Sequence, residues 1–246
     1  MRLTVLGGTG AWPEAHGACS GYLVEQAGHV CLLDPGYAVL PILQELMPVD
    51  AVDAVIVTHG HPDHCVDLNP LLRARSLRDD PAPALPVFAP AGALDVVLSL
   101  DRPGMLDDAY ELTDLQPGVN VRIGPWTVGC RSLPHFKPNL GVRLESGGLA
   151  LAYTGDAGPS PDAVPLARDV DLLLAESSFA DRVPDDSVGA LSSAADAGRL
   201  AAESGAQRLV LTHLMPGTDA EAAKRAAAEI YSGPIMVARR GLVVEL

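Results

Sequence analysis

The chain has 246 residues, 48% of them hydrophobic and 20% charged, which is typical of a globular fold and predicts a single domain over residues 1–246. Its 17 basic and 31 acidic residues give a net charge of −14, so we expect a small-molecule substrate rather than a long nucleic acid. No apolar run approaches the roughly 20 residues of a membrane span, and residues 1–7 indicate a strand rather than a signal peptide. These features predict a cytoplasmic protein without a membrane partner.

Short aliphatic runs bounded by Gly, Pro or Asp predict the strands of the first half, at residues 2–6, 21–26, 29–33, 54–58 and 86–89. The spacing of apolar residues predicts helices between them, at 37–46, 67–78 and 92–100. The proline-rich stretch 80–86 indicates a surface connection. The glycine-rich stretch 7–10 lacks the spacing of a nucleotide-binding loop and is expected to form a turn near a functional site.

The second half repeats this alternation, with strands predicted at 126–132, 140–145, 149–153, 171–175, 208–212 and 241–245. Helices are predicted near 162–168, 192–204 and 218–231. Residues 54–59 and 208–213 are each an aliphatic run ending in Thr-His, which indicates two pseudo-repeated halves, approximately 1–125 and 126–246. The pattern predicts an α/β fold with two mixed sheets packed face to face between helices, an αββα four-layer sandwich.

The segment Thr58-His59-Gly60-His61-Pro62-Asp63-His64 carries three of the seven histidines within six residues, directly after a predicted buried strand. Neither an apolar face nor a helix cap explains this density of imidazoles. Imidazole and carboxylate are the expected ligands of zinc or manganese. The segment therefore predicts a metal site. The four cysteines form no C-x-x-C pair and indicate neither a zinc knuckle nor a disulfide framework.

The H-x-H-x-D-H motif resembles the signature of the metallo-β-lactamase superfamily, and four further matches stand in the family's order: Asp34 upstream, and His135, Asp156 and His213 downstream. The resemblance implies that His59, His61 and His135 hold one metal ion. It implies that Asp63, His64 and His213 hold the other and that Asp156 bridges them. Asp34 is expected to orient the histidine loop by hydrogen bonds rather than to touch metal.

Such a site holds two cations roughly 3.5–4 Å apart, which lower the pKa of water so that a bridging hydroxide becomes the nucleophile. Zn²⁺ is the expected ion, and Mn²⁺ accepts the same ligands. Asp63 is the expected catalytic residue, orienting the hydroxide or shuttling its proton. No protein nucleophile is needed, and the sequence has no G-x-S-x-G elbow.

Within the superfamily the chain is most similar to the ribonuclease Z branch and its short relatives, which include small bacterial cyclic nucleotide phosphodiesterases. The segments that carry this likeness are residues 6–10, 19–24, 64–68 and 175–179. Glu176, in the last segment, is expected either to support the site or simply to begin a helix. The branch usually has a further histidine where residues 189–195, near Leu191, have none, and the basic arm of the longer transfer-RNA enzymes is missing too.

Four functions are open at this point. The first is a phosphodiesterase for a small nucleotide-type substrate, and the second is a hydrolase of a lactone, thioester or amide. The third is a transfer-RNA 3′-processing endonuclease, which the acidic charge disfavours, and the fourth is a metal-binding module without turnover. A homodimer, which is common in this branch, would bury exposed aliphatic surface.

Overall fold

The computed structural model describes all residues from Met1 to Leu246 and contains fourteen strands. In chain order they are β1 (Arg2–Gly7), β2 (Gly21–Gln26), β3 (His29–Leu33), β4 (Ala54–Ile56), β5 (Leu85–Ala89), β6 (Tyr110–Asp114), β7 (Val121–Ile123), β8 (Trp126–Leu133), β9 (Asn139–Ser146), β10 (Leu149–Tyr153), β11 (Leu172–Glu176), β12 (Leu209–Thr212), β13 (Ile235–Val237) and β14 (Val243–Glu245). The helices are α1 (Val39–Leu46), α2 (Pro62–Cys65), α3 (Leu68–Ser76), α4 (Asp95–Leu98), α5 (Ala163–Ala167), α6 (Ala194–Ser204) and α7 (Ala220–Ala228).

The strands form two seven-stranded mixed sheets, ordered β14-β1-β2-β3-β4-β5-β6 and β7-β8-β9-β10-β11-β12-β13. The two sheets share one plan. In each, four antiparallel strands are followed by three parallel ones. The carboxyl ends of the parallel strands lie on one side of the molecule, and polar residues follow these strand ends.

Alternation along the strands creates three apolar layers, because successive side chains point to opposite faces of a sheet. Leu3 and Val5 of β1 lie in the layer between the sheets, whereas Leu6 faces α1 and α3. On the second sheet, Leu174 faces the first sheet and Leu173 faces the layer that α5, α6 and α7 cover. This layering confirms the predicted αββα sandwich.

The two sheets divide the chain slightly before residue 125, since β7 already belongs to the second sheet, and β14 returns to the first. The two Thr-His segments are not equivalent copies. β4 is the first parallel strand of its sheet, whereas β12 is the second of its own. Their likeness reflects a shared setting, because both are buried strands that end at the same edge.

The predicted helix at 92–100 is reduced to α4 because residues 91–94 form a turn, in which Gly92 has a φ of +73°. The structure adds three strands that the hydrophobic pattern did not predict, β6, β7 and β13. All three are edge strands. β6 lies at one edge of the first sheet, and β7 and β13 lie at the two edges of the second. None of the seven helices has the length and apolarity of a membrane-spanning helix.

Candidate metal centre

The polar cluster lies where strands of both sheets end. His59, His61, Asp63 and His64 occupy the loop after β4 and the short helix α2. The other three residues follow strands of the second sheet: His135 comes after β8, Asp156 after β10 and His213 directly after β12. Both sheets therefore contribute ligands to one place.

The structure brings all seven sequence-predicted metal ligands together in two overlapping groups. One group is His59, His61, His135 and Asp156, and the other is Asp63, His64, Asp156 and His213. Within each group, one candidate ligand atom per residue lies within 4.8 Å of the others. Asp156 belongs to both groups, which is the arrangement of a shared carboxylate between two ions.

In the first group, His61 Nδ1 lies 3.0 Å from both His59 Nε2 and His135 Nε2. The Oδ2 atom of Asp156 lies 3.9 Å from His59 Nε2 and 3.8 Å from His135 Nε2. Three imidazole nitrogens and a carboxylate oxygen thus face a common point. His61 and His135 are half-buried, so this side of the cluster opens to solvent.

In the second group, His213 Nε2 lies 3.2 Å from Asp63 Oδ2 and 3.1 Å from Asp156 Oδ2. His64 Nε2 lies 3.2 Å from Asp156 Oδ1. All four residues are buried. Here two imidazole nitrogens face two carboxylates.

Two buried atoms without hydrogen-bond partners also indicate that these residues fit divalent cations. His64 Nε2 and Asp156 Oδ1 are fully buried and have no hydrogen-bond partner in the protein. A buried polar atom left without a partner costs free energy, whereas a cation bound between these two atoms would satisfy both. The nitrogen and carboxylate donors are those that zinc and manganese accept.

The protonation states of the histidines differ between the two groups. Burial lowers the pKa of His59, His61 and His135, so these imidazoles are neutral, which is the form that binds metal. Burial would also lower the pKa of His64 and His213, but the charge of Asp156 outweighs it and raises both. The carboxylates of the second group thus attract positive charge, as a cation site requires.

Asp34 holds the histidine loop by hydrogen bonds, as the sequence predicts. Its Oδ1 accepts a hydrogen bond from the Thr58 amide at 2.7 Å. Its Oδ2 accepts from the Thr58 hydroxyl at 2.7 Å and the Tyr153 hydroxyl at 2.8 Å, and lies 2.8 Å from His64 Nδ1. With Nδ1 donating to this carboxylate, displacement of the Nε2 proton by a bound cation would leave the Nε2 lone pair facing the cluster.

Glu176 supports His213 in a similar way, but indirectly, through the side chain of Ser178 that lies between them. The Ser178 hydroxyl donates to Glu176 Oε1 at 2.7 Å and lies 3.0 Å from His213 Nδ1. Glu176 also accepts from the Ala157 and Ser192 amides. Burial and then the charge of Asp156 raise the pKa of Glu176. Ser178 links this carboxyl to a cluster residue.

Two glycines allow close approach of the backbone to the cluster. A Cβ on Gly36 would lie 1.8 Å from the Asp63 carbonyl oxygen, and one on Gly10 would lie 2.8 Å from the ring of His213. The Ala11 amide, next to Gly10, donates to Asp63 Oδ2 at 2.8 Å. Gly10, the last residue of the glycine-rich stretch 7–10, therefore lies against the site as predicted, although Gly7 still belongs to β1.

Tyr153, Ser178 and Ala190 contact the site although the sequence pattern predicts no role for them; the Ala190 carbonyl lies 2.9 Å from His135 Nδ1. Tyr153 was the one with a detectable signal, because it interrupts the aliphatic strand three residues before Asp156. Ser178 and the Ala190 carbonyl carry no comparable signal. His16 and His29 are exposed and lie outside both ligand groups.

Comparison with known proteins places this centre in a family. A model described as "Beta-lactamase superfamily domain" matches residues 29–214. The chain is 30% identical over 249 residues to a probable metallo-hydrolase of Bacillus subtilis, YhfI, with 100% of both chains covered. The crystal structure of YhfI, a metallo-β-lactamase fold protein, superposes with a TM-score of 0.90 at 29% identity and covers 100% of this chain and 98% of that one.

A ribonuclease Z of Myxococcus xanthus is 30% identical over 301 residues, covering 100% of this chain and 98% of its own. A diphosphatase from the PhnP family has a TM-score of 0.80 at 20% identity, with 100% and 97% of the two chains covered, which shows a shared fold. The chain therefore belongs to the metallo-β-lactamase superfamily of hydrolases, near its ribonuclease Z-like members.

Proposed function

We propose that the chain is a dinuclear metal-dependent phosphodiesterase that acts on a small nucleotide-type substrate. The observation that carries this proposal is the pair of four-residue ligand groups that share Asp156. Two neighbouring cations suit a phosphodiester because together they neutralise the phosphate and stabilise the leaving oxygen. The related ribonuclease Z and the structurally similar diphosphatase bear names that refer to phosphate ester or anhydride cleavage.

In this proposal His59, His61 and His135 hold one ion, Asp63, His64 and His213 hold the other, and Asp156 contacts both. The bound ions would supply positive charge and lower the pKa of the attacking water. Asp63 is the proposed catalytic residue. Burial opposes its ionisation, but the hydrogen bond from His213 and the charge of His64 hold its pKa well below the usual range. Such a carboxylate orients the attacking water as an acceptor rather than storing its proton.

An anionic substrate is supported by Lys137, one of only two lysines in the chain. Lys137 lies two residues after His135, is exposed, and forms no ion pair. An unpaired cation beside the cluster of a protein with net charge −14 offers a contact for a phosphate oxygen.

The test is the metal content of the purified protein, followed on the same sample by hydrolysis of bis-p-nitrophenyl phosphate. We expect about two ions per chain with turnover, and loss of turnover in His61→Ala but not in His29→Ala, a change at an exposed histidine. Failure to bind metal after controlled reloading would refute the metal centre. Two bound ions without turnover would refute the phosphodiesterase.

Lys137→Gln provides a narrower test of the phosphate contact. Loss of one charge-assisted hydrogen bond is expected to raise KM for bis-p-nitrophenyl phosphate roughly tenfold. The matched control is Lys224→Gln, which removes the other exposed lysine, on α7. Equal effects of the two substitutions would show that Lys137 acts only through the net charge.

One observation favours a second candidate, a hydrolase of a lactone, thioester or amide. Residues 189–195, near Leu191, contain no histidine where the likeness to ribonuclease Z predicts one, so this stretch lacks the imidazole that could protonate a departing phosphate-ester oxygen. Assays of lactones and thioesters on the same metal-loaded preparation separate the two candidates. Faster turnover of an acyl substrate than of any phosphodiester would replace the first proposal. Transfer-RNA 3′-processing receives less support, because a net charge of −14 opposes binding of a polyanion.

A further inference from the structure

Aromatic side chains are scarce in this chain, and only two of them are exposed. The sequence has 2 Trp, 5 Tyr and 3 Phe. Trp12 is 54% exposed and Phe136 is 60% exposed, while the remaining eight are buried or half-buried. The other exposed large apolar side chains are aliphatic, so Trp12 and Phe136 are the aromatic surface that the chain offers for stacking.

Trp12 directly follows a backbone segment that contacts the second ligand group. The preceding residue, Ala11, donates its amide to Asp63 Oδ2 at 2.8 Å. The residue before that, Gly10, is packed so closely on His213 that a Cβ there would lie 2.8 Å from the ring. The backbone leading into Trp12 is therefore fixed against two cluster residues.

Phe136 lies beside the first ligand group. It follows His135 directly, and its ring centroid lies 5.3 Å from that of His135, with the planes inclined at 61°. This edge contact leaves most of the Phe136 ring in water. The two exposed aromatic residues thus adjoin the two ligand groups, one each.

We infer that Trp12 and Phe136 form an aromatic subsite for the planar base of a nucleotide phosphodiester whose phosphate lies at the metal cluster. This inference rests on the proposed function. Bases stack on aromatic side chains regardless of their identity, because every base has a π face. The subsite would therefore distinguish nucleotide esters from simple alkyl phosphodiesters without selecting one base. A base held beside the phosphate contributes equally to substrate and transition-state binding, so it lowers KM with little effect on kcat.

A second copy of this chain is the competing occupant of these two rings. The net charge of −14 opposes association of identical chains. The Phe136 ring contacts His135, and Trp12 follows the backbone segment that is hydrogen-bonded to Asp63, so both residues lie next to parts of the chain that form the cluster. These observations favour a substrate over a partner chain.

The kinetic test compares two esters with the same leaving group. Thymidine 5′-(p-nitrophenyl phosphate) carries a base, and methyl p-nitrophenyl phosphate does not. Trp12→Ala and Phe136→Ala should each raise KM for the thymidine ester about tenfold, change KM for the methyl ester less than twofold, and leave kcat within twofold. Trp12→Phe and Phe136→Tyr keep a ring and should retain most of the preference. Leu46→Ala removes a side chain that is 55% exposed at the end of α1 and should change neither KM.

A binding measurement gives a readout that does not depend on turnover. Thymidine 5′-monophosphate should quench the emission of exposed Trp12, whereas ribose 5-phosphate, which has no base, should not. Trp12→Phe leaves only Trp126, which is 1% exposed, and should abolish the quenching. Equal quenching by both ligands would overturn the subsite.

The kinetic outcomes also separate the subsite from the proposed function. Turnover of both esters with equal losses in the Ala variants would overturn the subsite and leave the phosphodiesterase intact. Turnover of neither ester would overturn the phosphodiesterase, and the fluorescence titration would still decide whether a base binds. A change of oligomeric state in the Ala variants, without a change in ester preference, would assign the rings to a second copy and overturn the inference.

Discussion

Asp34 joins the histidine loop to the end of β10 at the candidate metal centre. One carboxylate oxygen, Oδ2, lies against three hydrogen-bonding groups, from Thr58, His64 and Tyr153. Its residue has a φ of +49°, in the left-handed region, where Asp is tolerated better than most side chains. The surrounding contacts hold this conformation and so place the carboxylate under His64.

Asp34→Asn is predicted to weaken metal binding at the second ligand group. An amide nitrogen in the position of Oδ2 would face three donors and could accept from none, so the ring of His64 would lose its fixed orientation. Loss of such a supporting contact typically weakens metal affinity about 10-fold to 100-fold. Competitive metal titration measures the change, with Asp95→Asn, a change at an exposed carboxylate, as the control. An affinity equal to that of the control would show that Asp34 does not position His64.

The residues found by sequence reasoning and those missed differ in the range of their contacts. Four of the predicted ligands lie within six residues, His59, His61, Asp63 and His64, so a local motif predicts their chemistry. The hydrogen bond between Tyr153 and Asp34 spans 119 residues, and the contact between Ala190 and His135 spans 55. Such contacts depend on which strands become neighbours, which no local pattern specifies.

At the scale of elements, α6 begins with a capping box that fixes the start of this helix near the site. The Ser193 hydroxyl accepts from the Asp196 amide at 3.2 Å, and Asp196 Oδ2 accepts from the Ser193 amide at 3.1 Å. The neighbouring Ser192 amide donates to Glu176. The start of the helix is therefore tied to the same carboxyl that supports His213 through Ser178.

Ser193→Ala is predicted to lower the free energy of unfolding by about 1 kcal/mol, because the helix loses the cap of one of its free amides. Metal content should stay unchanged, since Ser193 contacts no cluster residue. Urea denaturation measures the loss as a lower midpoint with an unchanged slope. Ser232→Ala, at an exposed serine after α7, is the control. A loss of metal with unchanged stability would contradict this account.

The predicted strands were those with an apolar face to bury. β11 is buried at all five positions and was predicted within one residue at each end. β6, in contrast, exposes four of its five residues at the edge of its sheet, and its sequence Tyr-Glu-Leu-Thr-Asp has no continuous apolar run. Edge strands such as β6 are held by backbone hydrogen bonds to one neighbour, which leave little trace in side-chain composition.

At the scale of the whole molecule, the metal cluster is a junction between the two sheets. His59, His61, Asp63 and His64 come from the loop after β4 in the first sheet. His135, Asp156 and His213 follow strands of the second sheet. Each ligand group contains residues from both sheets. Bound ions would therefore add a further connection between halves that already meet through the apolar layer and the hydrogen bond from Tyr153 to Asp34.

Removal of metal by a chelator is predicted to lower the melting temperature, because ions that bind only the folded chain stabilise it. Each ion present at 100 times its dissociation constant adds about 2.7 kcal/mol, which for a chain of this size corresponds to roughly 5–10 °C. Differential scanning calorimetry over a series of free metal concentrations measures the shift.

Asp156→Asn alters the carboxylate that both ligand groups share, so in this variant the difference between metal-loaded and chelated protein should collapse. Lys224→Gln, on the surface of α7, should keep the full difference. A chelator effect of the same size in Asp156→Asn as in the unaltered chain would place the stabilising ions elsewhere in the molecule. A difference that persists only in part, with one ion still bound, would instead mean that one ligand group holds its ion without Asp156, and that the two groups are less dependent on each other than their shared carboxylate indicates.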